Sequence, residues 1–294
     1  MSDNETHSNE SSEHAAPSTR HIDAVRISSS AERPVRERCR VVVEVPATIA
    51  IDGVGSYTIM CTPCDTMALA VGFAFSEGII SSTRDINLLY CCDDDPSAIR
   101  MVLGKAPKDL PERNLIVSSS CGMCGSLDIE QTLSRLRRSP DSLQVSPSLI
   151  LRVLREMKSR QTIFEQTGGT HAAAIFASDG EIVAFAEDIG RHNALDKAIG
   201  KRLLEEKTAA GCGVALSGRV SLEMVTKAAN AGIELIAAVS AASSLAVEAA
   251  RRANITLCGF VRPDRATVFS CERRVTGLEP VSRRSKTTRA GGGE

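Results

Sequence analysis

Between residues 172 and 261 short apolar runs alternate with helical patterns, and that alternation leaves few folds open. Residues 172–178 and 181–187 flank Asp179-Gly180, a hairpin signal. A helix is expected from about 191 to 206, because Ala194, Leu195, Ala198, Ile199, Leu203 and Leu204 recur at helical spacing. Strands are expected at 213–216, 235–239 and 255–261, with helices at 221–231, closed by Gly232, and at 243–253. Strands separated by helices argue a three-layer α/β sheet with crossover helices, preceded here by a hairpin. In such sheets the ligand crevice lies beyond the carboxyl ends of the strands. The residues that fall there are Ser217-Gly218-Arg219, Ser240, and the run from Arg262 to Arg265.

The upstream stretch reads as a β-rich α+β part. Residues 40–46, 47–51 and 56–60 carry strand patterns around the turn signal Asp52-Gly53. Thr66 is placed to cap a helix whose Met67, Leu69, Ala70, Val71, Phe73, Ala74 and Phe75 leave few polar positions, so that helix is expected to be buried. Further strands are expected at 86–92 and 99–103, and Leu115-Ile116-Val117-Ser118 runs directly into Cys121. Residues 126–138 and 148–158 have helical spacing with heavily charged faces and read as exposed connecting helices.

The expected organisation is a disordered tail (1–35), an N-terminal α+β domain ending in a cysteine loop (36–125), connecting helices (126–160), an α/β domain (161–272) and a second tail (273–294). Both tails are too polar to bury enough surface to offset the entropy of ordering. What remains can bury a proper core without disulfides or a structural metal. Lys plus Arg number 35 against 36 Asp plus Glu, so no global basic field exists for nucleic acid or an anionic membrane. Aromatics make up 3% with no Trp, which argues against a base-stacking platform. No apolar run is long enough to span a membrane, and the N-terminus lacks the charged start and apolar stretch of a signal peptide. A cytoplasmic protein with reduced thiols is the expectation.

Among ten cysteines, placement matters more than number. Cys121-Gly122-Met123-Cys124 sits in a loop of small residues between an expected strand and an expected helix, where the sulfurs are reachable. A nearby helix N-terminus would lower a thiol pKa. The competing reading is a zinc knuckle with Cys61-Thr62-Pro63-Cys64, disfavoured because ribbon-type pairs usually lie about 15–20 residues apart and these lie much farther. Most of the remaining cysteines (Cys39, Cys91, Cys92, Cys212, Cys258 and Cys271) read as small buried hydrophobes. A second cluster, Glu187-Asp188-Ile189-Gly190-Arg191-His192-Asn193, falls at a strand-to-helix junction, where a capped helix start and a functional site are equally compatible with the pattern. Ser217-Gly218-Arg219 opens a helix and suits a phosphate. Arg262 and Arg265 are placed to grip a pyrophosphate, or else to pair with Asp264 at the surface.

Taken together, these motifs resemble the formate dehydrogenase accessory sulfurtransferase family. Thr62-Pro63, Leu69 to Phe73, Glu77 to Ile80, Cys121 to Gly125, Thr167-Gly168-Gly169, His171, Glu187 to Asn193, Asp196-Lys197, Ser217 to Arg219, Glu223-Met224, Lys227, Gly259-Phe260 and Arg262 carry the resemblance. It implies that Cys121 carries a persulfide received from a cysteine desulfurase, with Cys124 as its partner. The sulfur would pass to the molybdenum cofactor, a bis(molybdopterin guanine dinucleotide) bound as substrate, before that cofactor enters formate dehydrogenase. Phe260, Val261, Arg262, Pro263, Asp264 and Arg265, with Arg219 and His192, would bind it. The resemblance further implies a homodimer, a cytidine-deaminase-like second domain and no permanently bound metal. A dithiol oxidoreductase using the two cysteines, or a non-catalytic cofactor-binding chaperone, are the alternative readings.

Overall fold

The computed structural model describes residues 17–29, 33–92, 95–105 and 126–278. Its first element is a separate two-stranded antiparallel ribbon of β1 (Thr19–Arg26) and β2 (Val35–Val42). The expectation of a tail up to residue 35 therefore fails from Thr19 onward: eight cross-strand pairs, from Thr19 with Val42 to Arg26 with Val35, order this segment. Its backbone hydrogen bonds, not burial, hold it, which is why a composition argument misses it.

A four-stranded sheet follows, in the order β4-β3-β6-β5, from β3 (Val45–Ile51), β4 (Gly55–Cys61), β5 (Ile86–Cys92) and β6 (Asp95–Leu103). Ala47, Ile49 and Ile51 of β3 alternate inward onto α1 (Thr66–Ser76), where Leu69, Ala70, Val71, Phe73 and Ala74 are shut off from solvent. Thr66 is the first helical residue and not the cap. Asp65 occupies the cap position in a left-handed conformation, and its carboxylate meets Lys201 at 2.7 Å.

The larger unit contains α2 (Ser126–Arg135), α3 (Pro147–Arg160), α4 (Thr162–Thr167), β7 (His171–Phe176), β8 (Ile182–Asp188), α5 (Arg191–Leu204), β9 (Gly213–Leu216), α6 (Leu222–Asn230), β10 (Leu235–Ala238), α7 (Ser244–Arg252), β11 (Thr256–Arg262) and β12 (Arg265–Ser270). The sheet order is β12-β11-β10-β9-β7-β8, with β9, β10 and β11 parallel and the hairpin strands antiparallel. Alternation along its strands sorts the side chains. Ala173, Ile175, Val214, Leu216, Ile236 and Ala238 face α5, α6 and α7, whereas Ala172, Ala174, Phe176, Ala215, Leu235 and Ala237 face α3.

Two expectations change here. α3 is not an exposed connector: Ile150, Val153, Leu154 and Met157 bury one stripe against the sheet and leave the charged stripe to solvent, so this helix is the third layer. The C-terminal tail also begins later than residue 273. Arg274 is fully buried, donating to Glu234 at 3.0 Å and to the Pro140 carbonyl, and Val275 bridges to Val145. A buried guanidinium requires such a carboxylate partner.

The two units meet through α1 and α5. Gly72 lies so close to the Asp196 backbone, and Gly200 to that of Ala68, that a Cβ at either position would collide with a carbonyl oxygen. Glycine at the crossing lets the helices approach backbone to backbone.

Candidate functional site

The loop that follows β9 meets the first turn of α5 at Gly218 and Arg191. After β9, the Ser217 N–H donates to the Ala172 carbonyl at 3.1 Å, and the Ala172 N–H donates to Ser217 Oγ at 2.9 Å. This lacing ties the Ser217-Gly218-Arg219 loop to the start of β7, with His171 Nδ1 3.4 Å from Ser217 Oγ. A Cβ on Gly218 would sit 3.2 Å from Arg191 Cβ and 3.3 Å from His171 Nδ1, so glycine keeps this corner open. Burial and the Arg191 guanidinium push His171 below the usual imidazole range, while Asp188 opposes them. Arg191 Nε is buried and has no partner among the described residues. Gly190 leaves the N-terminus of α5 without a side-chain cap. Free helix N–H groups, an orphaned guanidinium nitrogen and the exposed Arg219 together make an edge suited to an anion.

At the end of β11 the chain bends. Phe260 adopts φ 52° and donates its N–H to the Ser240 carbonyl at 3.1 Å, leaving its ring 46% exposed at a tilted 6.2 Å contact with Phe269. Arg262 reaches back to the Val239 carbonyl at 2.6 Å and its own neighbour Val261 at 2.9 Å, while Val261 is buried toward α3. Pro263 turns the hairpin. Asp264 and Arg265, both exposed and 3.9 Å apart, line a cavity of about 220 Å³ with Ile150, Leu151 and Val268. Arg219 is thus grouped with Arg191 and His171, Arg262 folds over the end of β10, and Arg265 stands at the hairpin tip.

His192 faces α6 instead, with Nε2 3.3 Å from Glu223 and 3.5 Å from Ser221 Oγ. Burial, with Arg191 and Lys227 nearby, pushes its pKa down to about 3, and burial raises that of Glu223. With the imidazole held neutral, His192 and Glu223 meet without forming an ion pair.

Beneath the edge lies a buried cluster that joins Asp188 and Asn193, from the charged run at 187–193, to Lys197, Asp196 and Lys227. Lys197 and Asp188, both fully buried, meet at 2.6 Å. Lys197 also donates to the Thr62 carbonyl at 2.9 Å, and the Thr62 N–H donates to Asp188 at 3.0 Å. Asn193 spans Met60 and Asp188. One turn along α5, Asp196 binds Lys227 at 2.7 Å and Ser76 at 2.7 Å. Burial opposes the Lys227 charge, but Asp196, Glu77 and Glu223 outweigh it and raise its pKa. The signal in the sequence was the density of charge in an otherwise apolar helix, which requires buried partners.

Cys121 and Cys124 lie outside the described residues, which resume at Ser126, the first residue of α2. The other eight cysteines are free thiols, none fully exposed. Burial pushes Cys61 and Cys258 up to about 12 and raises Cys64 and Cys212. Cys64 sits 3.9 Å from Lys197 Nζ, inside the junction, and none of these four is a ready thiolate.

Fold and site together describe a mixed α/β protein with arginine-bearing strand ends, built over a lysine-sealed junction between two units. The chain belongs to the FdhD/NarQ family, whose model matches residues 42–276. It is 41% identical over 256 residues to the sulfur carrier protein FdhD of Anaeromyxobacter sp. (strain K), covering 81% of this chain and 89% of that one. It is 40% identical over 250 residues to the sulfur carrier protein FdhD of Streptomyces coelicolor, covering 80% and 88%. A crystal structure from Desulfotalea psychrophila, provisionally assigned as a formate dehydrogenase accessory protein, superposes with a TM-score of 0.71 at 26% identity, covering 88% of this chain and all of that one. No helix among the described residues is long and apolar enough to cross a membrane.

Proposed function

We propose that this chain is a cytoplasmic, homodimeric sulfurtransferase that carries sulfur on Cys121 from a cysteine desulfurase to the molybdenum cofactor of formate dehydrogenase. The observation that carries the reading is 41% identity over 256 residues to a protein named a sulfur carrier. The burial of Cys61, Cys212 and Cys258 agrees with this reading, because it withdraws those three thiols from a carrier role.

In the first step the Cys121 thiolate attacks the outer sulfur of the donor persulfide. A new Sγ–S bond forms, the donor S–S bond breaks, and the donor cysteine leaves as a thiolate with no net oxidation. Delivery as sulfide needs two electrons. Cys124 supplies them by attacking Cys121 Sγ, which expels hydrosulfide toward the substrate metal and leaves a Cys121–Cys124 disulfide for a cellular dithiol to reduce.

The larger unit, a hairpin followed by alternating helices and strands, is read as cytidine-deaminase-like. Its edge receives the bis(molybdopterin guanine dinucleotide) substrate. Arg219 holds phosphate oxygens beside the N–H groups of α5, Arg262 holds phosphate oxygens over the end of β10, Phe260 offers a ring face, and Asp264 and Arg265 close the hairpin side. His192 braces the α6 end of the loop through Ser221 and Glu223. Calorimetric titration with guanosine diphosphate tests this edge. Arg219→Ala and Arg262→Ala should each weaken binding about tenfold, roughly 1.4 kcal/mol, and wild-type affinity in both variants would remove the arginines from the site.

A further inference from the structure

The β1–β2 ribbon takes no part in the proposed sulfur transfer, and it precedes most of the segment that the family model matches. It hydrogen-bonds to no other sheet, and a lone two-stranded ribbon is marginal in water. Even so it exposes Ile22 (42%), Val25 (52%), Ile27 (81%) and Val35 (57%). The register puts Arg36 opposite Val25, Arg38 opposite Asp23 and Arg40 opposite His21, all on one face. All three arginines are exposed, and Arg36 and Arg38 make no ion pair among the described residues. Arg20 and Arg26 stand on the other face, where Glu37 is already engaged by Arg26 at 2.9 Å.

The ribbon's root abuts the proposed site. Arg40 donates to Gln166 of α4 at 2.8 Å, and Val42 fills the space a Cβ on Gly169 would need, two residues before His171.

We infer that this ribbon is a docking arm for an acidic protein surface, that of the sulfur-donating desulfurase. The inference rests on the carrier reading above. Val25 shares the face of Arg36, Arg38 and Arg40, whereas Ile22 and Val35 stand on the other face with Arg20 and Arg26. A strand-spaced row of arginines around an exposed valine suits a protein contact, in which charge steers the encounter. Two copies of so basic an arm repel each other, and the absence of aromatic residues on it gives bases nothing to stack on. The cofactor has its own arginines at the sheet edge, so the donor is the partner still lacking a contact.

The test compares sulfur loading of the full chain from a desulfurase plus cysteine with loading from inorganic polysulfide, for wild type and Arg36→Glu/Arg38→Glu. The inference expects the variant to load from the desulfurase at least tenfold more slowly, with the salt sensitivity of wild-type loading lost, while polysulfide loads both alike. Equal desulfurase loading in both proteins overturns it. So does an unchanged loading rate accompanied by loss of oligonucleotide binding or a change in oligomeric state, which would assign the arm to nucleic acid or to a second copy. Failure of wild type to load from either source would contradict the carrier reading itself. A melting temperature equal to wild type confirms that the exposed substitutions leave the fold intact.

Discussion

Lys197 Nζ lies 2.6 Å from Asp188 Oδ2, and neither side chain reaches solvent. Asp188 ends β8 and Lys197 sits in α5, while their shared partner Thr62 follows β4, so one ion pair fixes the larger unit, its first crossover helix and the N-terminal sheet together. The sheet edge proposed to bind the cofactor stands directly above this joint.

Removing the cation while keeping the carboxylate should be costly. Lys197→Met leaves Asp188 with N–H donors from Thr62, Gly190 and Asn193 but no counter-charge. A loss of about 3–5 kcal/mol in urea unfolding is expected. Adding Asp188→Asn should cost much less than the two single losses combined. Strict additivity of the two would show that the pair is not the joint.

Acid should loosen the fold through His192. Its pKa is pushed down to about 3 in the folded protein, against an ordinary value of about 6.5 in the unfolded chain. Between those values the unfolded chain binds a proton that the folded protein refuses. Stability present above pH about 6.5 is therefore lost as pH falls toward 3, by at most about 1.4 kcal/mol per pH unit. Urea midpoints across that window should show a shallower slope in His192→Gln, and an identical slope would place the titrating group elsewhere.

Gly72→Ala tests the crossing of α1 and α5. The added methyl meets the Asp196 carbonyl, which belongs to the α5 backbone and cannot rotate away. A destabilisation of about 1–3 kcal/mol or more is expected from overpacking, read as a lowered melting temperature. Gly78→Ala, whose Cβ would meet nothing but whose φ is 74°, separates backbone strain from collision. A melting temperature in Gly72→Ala equal to wild type would mean the helices do not touch here.

Much of the larger unit was legible because its strands are buried on both faces and its helices carry regular stripes. The helix expected at 191–206 is α5, the turn at Asp179-Gly180 joins β7 to β8, and the strand expected at 213–216 is β9 residue for residue. The ribbon was not legible, since both its faces meet solvent and no apolar alternation marks it. Arg274 falls in a basic run, and its partner Glu234 lies 40 residues upstream, beyond the reach of local pattern. The Lys197 joint was invisible for the same reason: Thr62 is 135 residues away in sequence. Of the proposed cofactor residues, the strand order alone brought Arg219 and Arg262 to one sheet edge. The rotation of His192 toward Glu223 depended on packing that spacing does not encode.

The central claim is that Cys121 carries the sulfur. Intact-mass spectrometry after incubation with a desulfurase and cysteine measures it directly, on wild type, Cys121→Ala and Cys124→Ala. The account predicts an adduct of one sulfur atom, removed by a dithiol reductant, on wild type and on Cys124→Ala, where it should persist longer for want of the second thiol. Cys121→Ala should show none. The same adduct on Cys121→Ala would contradict the account, as would a two-proton loss in wild type with no adduct in any of the three.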